Sequence, residues 1–282
     1  MLPLSESIRM PNAGSIFESM HPSLKPLVKW SGGKSKEYKY FNHHLPEKYN
    51  RYIEPFVGGG AILFRLGFKN NVISDVHEGL INFYQQIKNG YALEIYERVI
   101  QLKTDEQTYY LVRDKFEIKD NIDLAVQFYY LRKTAFRGML RYNSEGKFNI
   151  PWGRYKSVKF SNILDFEYTD ILQNTDIRLA SFETLFEEFN DTENFVFLDP
   201  PYDSTFTDYG YCKFGRDYQL KLSEIFKSTK NRCLLIIGKT PLIDELYNGY
   251  MAGSYPKKYR FKIYDGRIGN EIDNEHLIIK NY

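Results

Sequence analysis

The sequence predicts an α/β fold: a mostly parallel sheet that ends in an antiparallel hairpin, with a mainly helical segment inserted between its halves. Three observations predict it. Apolar runs of strand composition occur at "RYIEPF" (51–56), "NNVISD" (70–75) and "NFVFLD" (194–199), the last two ending on an acid. Residues 91–135 hold no convincing strand and read as three helices. After "CLLIIG" (233–238), the stretches "KYRFKIYD" (258–265) and "HLIIKNY" (276–282) read as a terminal antiparallel hairpin.

Taken in order, residues 1–24 form an arm without an apolar core, so it is no signal peptide. "VGGGAILFRLGF" after the first strand is a glycine turn followed by a short apolar helix. The second strand ends at Asp75. Leu80, Ile81, Phe83, Tyr84 and Ile87 then recur at helical spacing up to Gly90. "ALEIYERVIQLK", "EQTYYLVRDKFE" and "LAVQFYYLRKTAF" are the three helices of an insertion spanning 91–164. Within it, Asn143-Ser144-Glu145-Gly146 is turn-rich and predicts a β-hairpin. Alternation resumes in 165–282, with a helix near Tyr218–Lys227. The parent domain is thus 25–90 together with 165–282.

Composition sets bounds. The 282 residues suit one large domain with an insertion. A formal net charge of +2 announces no polyanion partner, whereas 24 Tyr and 21 Phe make stacking surfaces plentiful. Cys212 and Cys233 have no ligand spacing, so neither a metal site nor a disulfide framework is expected, and a reducing, cytoplasmic setting fits. No apolar run approaches the length of a membrane span.

The chemistry-bearing stretches are few. Strand–glycine turn–helix–strand–acid is the pattern of a cofactor-binding unit: the turn Phe56–Gly60 lets backbone approach a ligand, and Asp75 stands where an acid accepts ribose hydroxyls. An equal reading makes Asp75 the N-cap of the next helix. "KWSGGKSK" (29–36) sets Trp30 and two glycines between Lys29 and Lys34, which fits a loop over a ligand or a plain turn. At Asp199-Pro200-Pro201-Tyr202, a strand stops on a carboxylate, a stiff carbonyl and a flat ring. Two acceptors and a stacking face suit a planar group bearing an NH2.

Together, "KWSGGK", "YIEPFVGGGAILF", "SDVHEGLINFY", "RGMLRYNSEGKFNIPWGRYK" and "FLDPPY" resemble, in order, the Dam-type (D12 class, alpha group) DNA adenine-N6 methyltransferases. The resemblance implies a Rossmann-like methyltransferase sheet, S-adenosylmethionine as methyl donor (S-adenosylhomocysteine as product), no metal, and double-stranded DNA as partner. It places Trp30, Lys34, Phe56, Gly58, Asp75 and Asp199 at the cofactor, and Asp199, Pro200, Pro201 and Tyr202 at a flipped-out adenine. It makes the insertion the target-recognition domain, whose hairpin stretch is basic: Arg132, Lys133, Arg137, Arg141, Lys147, Arg154, Lys156 and Lys159 stand against Glu145 alone. There Arg141 would read a guanine and Met139 and Pro151 a thymine methyl. Lys29 would contact the guanine before the adenine, and Phe136 would wedge into the stack. Arg137, Arg154 and Tyr155 complete the DNA contacts. These matches imply a target containing G-A, of the form G-A-T-C.

This chain departs from the family's pattern at Arg137, where Asn is common, and at "IIGKT" (236–240), which replaces a Ser/Thr-Asn pair. The segment "DSTFTDYGYCKFG" (203–215) keeps aromatics but not the usual order. A methyltransferase acting on RNA or a protein amide is one alternative, and a non-catalytic DNA-binding regulator is another. No nuclease domain is evident, so a restriction endonuclease partner would be a separate protein in a prokaryotic or phage-infected cell.

Overall fold

A computed structural model describes residues 24–202, 214–262 and 268–282. The expected arm, apart from Leu24, and the stretch from Asp203 to Lys213 with Cys212 lie outside the described residues. Seven strands form one sheet: β1 (Arg51–Glu54), β2 (Asn71–Asp75), β3 (Thr175–Leu179), β4 (Asn194–Leu198), β5 (Arg232–Gly238), β6 (Met251–Lys262) and β7 (Ile268–Lys280). Their order is β3-β2-β1-β4-β5-β7-β6. The first five run parallel, with Ile53 opposite both Val72 and Val196, and Phe197 opposite Leu234. β7 is antiparallel to both of its neighbours, pairing Ile236 with Ile278 and Tyr255 with His276.

Strand periodicity explains the layering. Tyr52, Phe195, Phe197, Leu234 and Ile236 enter one apolar cluster, while Ile53, Val196, Leu198, Leu235 and Ile237 enter a second one across the sheet. Every residue of β4 is buried, as befits a central parallel strand covered on both faces. Helices α8 (Phe182–Glu188), α9 (Arg216–Ser228) and α10 (Pro241–Leu246) belong to the second cluster. Helix α3 (Glu78–Lys88) belongs to the first, together with α4 (Ala92–Ile100), α5 (Glu106–Lys115), α6 (Asn121–Thr134) and α7 (Phe166–Gln173). Helices α4 to α6 therefore share an apolar cluster with the sheet and reach it through the packing of α6 on α3. Two further α-helices of one turn are α1 (Tyr38–Phe41) and α2 (Leu63–Leu66), with Gly67 capping α2 in a left-handed conformation.

Three features differ from the sequence expectations. The terminal strands are longer than the apolar runs that announced them, because β6 and β7 pair from Met251–Ile279 outward, beyond the apolar stretch. Residues 157–193, where the sequence supplied no element, contain α7, β3 and α8. The turn-rich stretch has two isolated antiparallel bridges, Tyr142↔Phe148 and Ala135↔Trp152, in place of paired strands. The two sides of the turn are joined by Asn143 N–H to the Lys147 carbonyl at 2.9 Å and Asn149 N–H to the Arg141 carbonyl at 3.1 Å, and Pro151, without an N–H, cannot donate further along it.

Candidate active site

The carboxyl ends of β1, β2 and β4 converge where the chain order of the sheet reverses, which is where open α/β sheets bind ligands. A cavity of about 500 Å³ opens there. Its wall includes Trp30, Lys34, Phe56, Gly58, Asp75, Asp199, Pro200, Pro201 and Tyr202, so the structure brings together every residue expected at the cofactor and at the reacting base.

The glycine turn is built by its neighbours. Gly58 has φ +46, and a Cβ there would stand 2.6 Å from Trp30 Cδ1, so only glycine lets the turn close under the indole. Its N–H donates to Asp75 Oδ2 at 3.1 Å, and its carbonyl accepts from the buried Tyr84 hydroxyl at 2.8 Å. Asp75 Oδ1 accepts from His77 N at 3.0 Å. The N-cap of α3 is His77, whose Nδ1 accepts from Leu80 N at 3.1 Å; the capping role open to Asp75 in the sequence falls to this histidine. Burial pushes the Asp75 carboxyl up to about 6 against the pull of these backbone donors.

Glu54, at the end of β1, is a third carboxylate on the cavity wall. It is buried and accepts from the Tyr52 hydroxyl at 2.9 Å; burial, reinforced by the charges of Asp199 and Asp75, pushes it up to about 8. Sequence reasoning passed over it, although "YIEP" repeats the strand–acid–proline signal of "FLDPP". Across the cavity, Lys34 Nζ stands 2.5 Å from Asp199 Oδ1 and 2.6 Å from the Gly32 carbonyl. Burial raises the Asp199 carboxyl, and Lys34 opposes that shift, holding the group toward its acceptor form. The same ammonium lies 5.2 Å from the centre of the Tyr202 ring.

A buried cluster supports this wall from behind. His276 meets the Tyr202 ring edge-on at 5.2 Å and donates from Nδ1 to Glu37 Oε2 at 2.7 Å. Tyr255 donates to the same oxygen at 2.7 Å, and Lys257 pairs with Glu37 Oε1. Gly238, in the divergent "IIGKT", gives Tyr202 its place: a Cβ there would lie 3.3 Å from the ring. Burial alone would raise Glu37, but His276, Lys34, Lys257 and Tyr255 together bring it down to about 2. A depressed carboxyl stabilises the fold above its unfolded value and loses that contribution as pH falls through the folded one. Glu37 thus contributes about 3 kcal/mol that disappears between about pH 5 and pH 2. Urea melts at pH 3 and pH 6 should show Glu37→Gln losing stability at pH 6 and having a flatter acid limb. Parallel limbs for the two proteins would assign the acid sensitivity elsewhere.

None of the residues expected at DNA lines this cavity; Lys29 adjoins it as the neighbour of Trp30 in the chain. Lys29 Nζ sits 3.7 Å over the Tyr155 ring, and Phe136 N–H donates to the Pro151 carbonyl at 2.9 Å. Arg137, Met139, Arg141 and Arg154 are exposed. Asn149 Oδ1 holds Arg141 Nε at 2.9 Å. Among the described residues, Arg137 and Arg154 are the non-glycine positions with positive φ, each +53°. Asn tolerates that conformation better than Arg, so Arg137 is strained at a position where the resemblance leads one to expect Asn. Two basic residues differ from the expected phosphate-contacting role. Arg132 is 1% exposed and bonded to backbone carbonyls. Lys133 is half-buried, donates to Asn162 Oδ1 at 3.1 Å, and is pulled down to about 8 by burial and by the charges of Lys29 and Lys159.

Comparison with known proteins gives this geometry a family. The family described as D12 class N6 adenine-specific DNA methyltransferase matches residues 30–263. Among similar proteins, the type II methyltransferase M.CviBI of Paramecium bursaria Chlorella virus NC1A is 53% identical, over 92% of this chain and 100% of its own length. The type II methyltransferase M.MjaIII of Methanocaldococcus jannaschii is 35% identical over 80% of this chain and 89% of its own. A DNA adenine methylase of Haemophilus influenzae is 31% identical over 82% and 86%. A cavity walled by Asp75, Asp199-Pro200-Pro201-Tyr202 and a glycine turn, together with a match over most of the chain, leads to one conclusion: the chain belongs to the D12 class of N6 adenine-specific DNA methyltransferases.

Proposed function

We propose that this adenine-specific DNA methyltransferase acts on duplex DNA at a site containing G-A, with G-A-T-C as the form that the matched positions imply, and that it flips the target adenine to the mouth of the cavity. The observation that supports this reading most is the meeting of Asp199, Pro200 and Tyr202 with Asp75 and the glycine turn in one cavity. Asp75 and Asp199 give that cavity carboxylate acceptors beside the buried acid Glu54, a set that fits a cationic ligand with vicinal hydroxyls such as S-adenosylmethionine. Trp30, Lys34, Phe56, Gly58, Asp75 and Asp199 would hold it. When bound, it supplies a sulfonium methyl for direct in-line transfer and leaves as S-adenosylhomocysteine.

The chain's own residues do the rest by positioning. The lone pair of adenine N6 is delocalised into its ring. Asp199 and the Pro200 carbonyl each accept one N6–H, so the nitrogen pyramidalises and directs its lone pair out of the ring plane. Tyr202, braced by His276, stacks on the base, a contact worth about 1–3 kcal/mol. Lys34 keeps Asp199 oriented as an acceptor. The methylated amine sheds its proton to this burial-raised carboxylate and from there to solvent. Flipping is required because the amino group is otherwise paired within the duplex. The type II names of its relatives fit a modification role beside a separate restriction endonuclease, and their sources, a Chlorella virus and Methanocaldococcus jannaschii, fit the cytoplasm of a prokaryotic or virus-infected cell. Among the described residues, no helix is long and apolar enough to cross a membrane.

Methyl transfer to a library of G-A-N-N duplexes, with RNA as a control, tests both chemistry and site. Arg141 is exposed and oriented through Nε by Asn149, as a guanine-reading arginine needs. Arg141→Ala should relax choice at one outer base by about 1–3 kcal/mol while keeping some activity. Lys159→Ala should weaken all sequences alike and reduce the salt slope by about one unit. An equal loss at every site in the Arg141 variant would make that residue a phosphate contact and remove the main support for G-A-T-C.

A further inference from the structure

We propose that Arg132 is a positioning residue that couples base reading to cofactor binding; this rests on the function proposed above. Arg132 stands near the end of α6 with its guanidinium buried. It donates in two directions. Nε lies 3.2 Å from the Lys29 carbonyl, to which Nη2 also donates, and the guanidinium lies 5.2 Å from the centre of the Trp30 ring. On its other side, Nη1 donates to the Met139 carbonyl at 2.7 Å and Nη2 to the Gly138 carbonyl at 2.5 Å. One planar cation thus ties the loop carrying Lys29 and Trp30 to the loop carrying Phe136, Arg137 and Met139.

The packing is tight enough to transmit displacement. Gly138 lies against Lys29 so closely that a Cβ there would stand 2.3 Å from Lys29 Cβ. Trp30 meets His77 edge-on at 5.5 Å, and His77 Nε2 lies 2.6 Å from the Tyr142 hydroxyl, one residue from Arg141. Because His77 Nδ1 accepts from Leu80 N–H, the neutral ring carries its proton on Nε2 and donates it to Tyr142. Two contacts, Arg132 and His77–Tyr142, therefore join the indole on the cofactor wall to the DNA-facing segment. A buried guanidinium needs several acceptors in a fixed fork, and lysine cannot bridge both loops with one ammonium. When a duplex fixes residues 136–141, the carbonyls that hold Arg132 are fixed with them, and so is the wall on which Trp30 lies. The coupling is reciprocal by linkage: bound cofactor tightens DNA to the same degree.

The test uses S-adenosylhomocysteine as probe, with calorimetry on the full chain, alone and saturated with a duplex that the wild type methylates. Failure to methylate any duplex would sink the functional reading first, before Arg132 is examined. In the wild type, duplex should tighten S-adenosylhomocysteine at least about 5-fold. In Arg132→Lys that ratio should fall below about 2-fold, and Gly138→Ala, which pushes the loops apart from the other side, should reproduce the fall. Both variants are checked for cooperative melting, and Gly138→Ala decides should Arg132→Lys fail to fold. A merely structural role for Arg132 predicts lower melting temperatures with the ratio intact. An intact ratio in the folded variants, or a wild-type ratio near one, overturns the proposal.

Discussion

Asp199→Ala should lower methyl transfer by about 100- to 1000-fold or more while duplex binding stays within a few-fold of wild type. The magnitude is that of removing one preorganised polar contact to a reacting group in a water-poor site. In the proposed reaction one side chain serves two ends: it would accept an N6–H, and it pairs with Lys34 at 2.5 Å. Binding survives because Arg137, Arg141 and Arg154 are exposed on another segment. Lys34 is 1% exposed, so the alanine variant leaves a buried ammonium with only the Gly32 carbonyl beside it from this pair of contacts. Some loss of stability will accompany the loss of activity. Asp199→Asn separates the two effects. It keeps volume and one acceptor oxygen but gives up the charge that orients Lys34, so it should melt closer to wild type and still transfer poorly. Single-turnover transfer of labelled methyl and anisotropy of a labelled duplex measure the two arms. Normal turnover in the alanine variant would remove Asp199 from the reaction.

Asp199 and Asp75 were legible in the sequence because each puts a charge at the end of a strand-like stretch. β2 and β4 are buried along their whole length, and β4 from Phe195 to Leu198 is a continuous apolar run, as such strands commonly are. An acid at the end of one stands out. β3 was not legible for the converse reason: "TDIRL" pairs on one side only, and Arg178 spends its charge on Asp176 and Glu188. An edge strand with that composition looks like a loop. The cluster behind Tyr202 was hidden by distance along the chain, since Glu37 and His276 meet only when β7 enters between β5 and β6. Arg132 shows the limit of charge counting. Composition records a cation in a basic segment, but not that α6 turns it inward onto three carbonyls. The hairpin stretch had the reverse fate. Its turn residues were evident, and the pairing they announced is present but short: Asn143 N–H donates to the Lys147 carbonyl and Asn149 N–H to the Arg141 carbonyl about the single bridge Tyr142↔Phe148.

Asp75→Ala should weaken S-adenosylhomocysteine binding by about 1–3 kcal/mol, roughly 5- to 150-fold, the cost of leaving buried hydroxyls without their acceptor. Both carboxylate oxygens already accept a backbone N–H, from Gly58 and His77, so the group is held in place before any ligand arrives. Burial raises its folded value from 3.8 to about 6. A raised carboxyl stabilises the fold below its unfolded value and loses that contribution as pH rises through the folded one. At pH 8 the wild type therefore carries a buried charge that works against folding, and the alanine variant loses two hydrogen bonds but also sheds that charge. Its melting temperature at pH 8 should change less than its affinity does. The same raised value gives the affinity a pH signature. Ribose hydroxyls donate best to the ionised form, so binding should tighten as pH rises from 5 to 7 and level off above. Asp75→Asn, which keeps the shape and cannot ionise, should be flat over that range. Calorimetry at pH 5, 6, 7 and 8 on the three proteins reads both effects. An alanine variant with wild-type affinity and a lower melting temperature would reduce Asp75 to a strut between the glycine turn and α3.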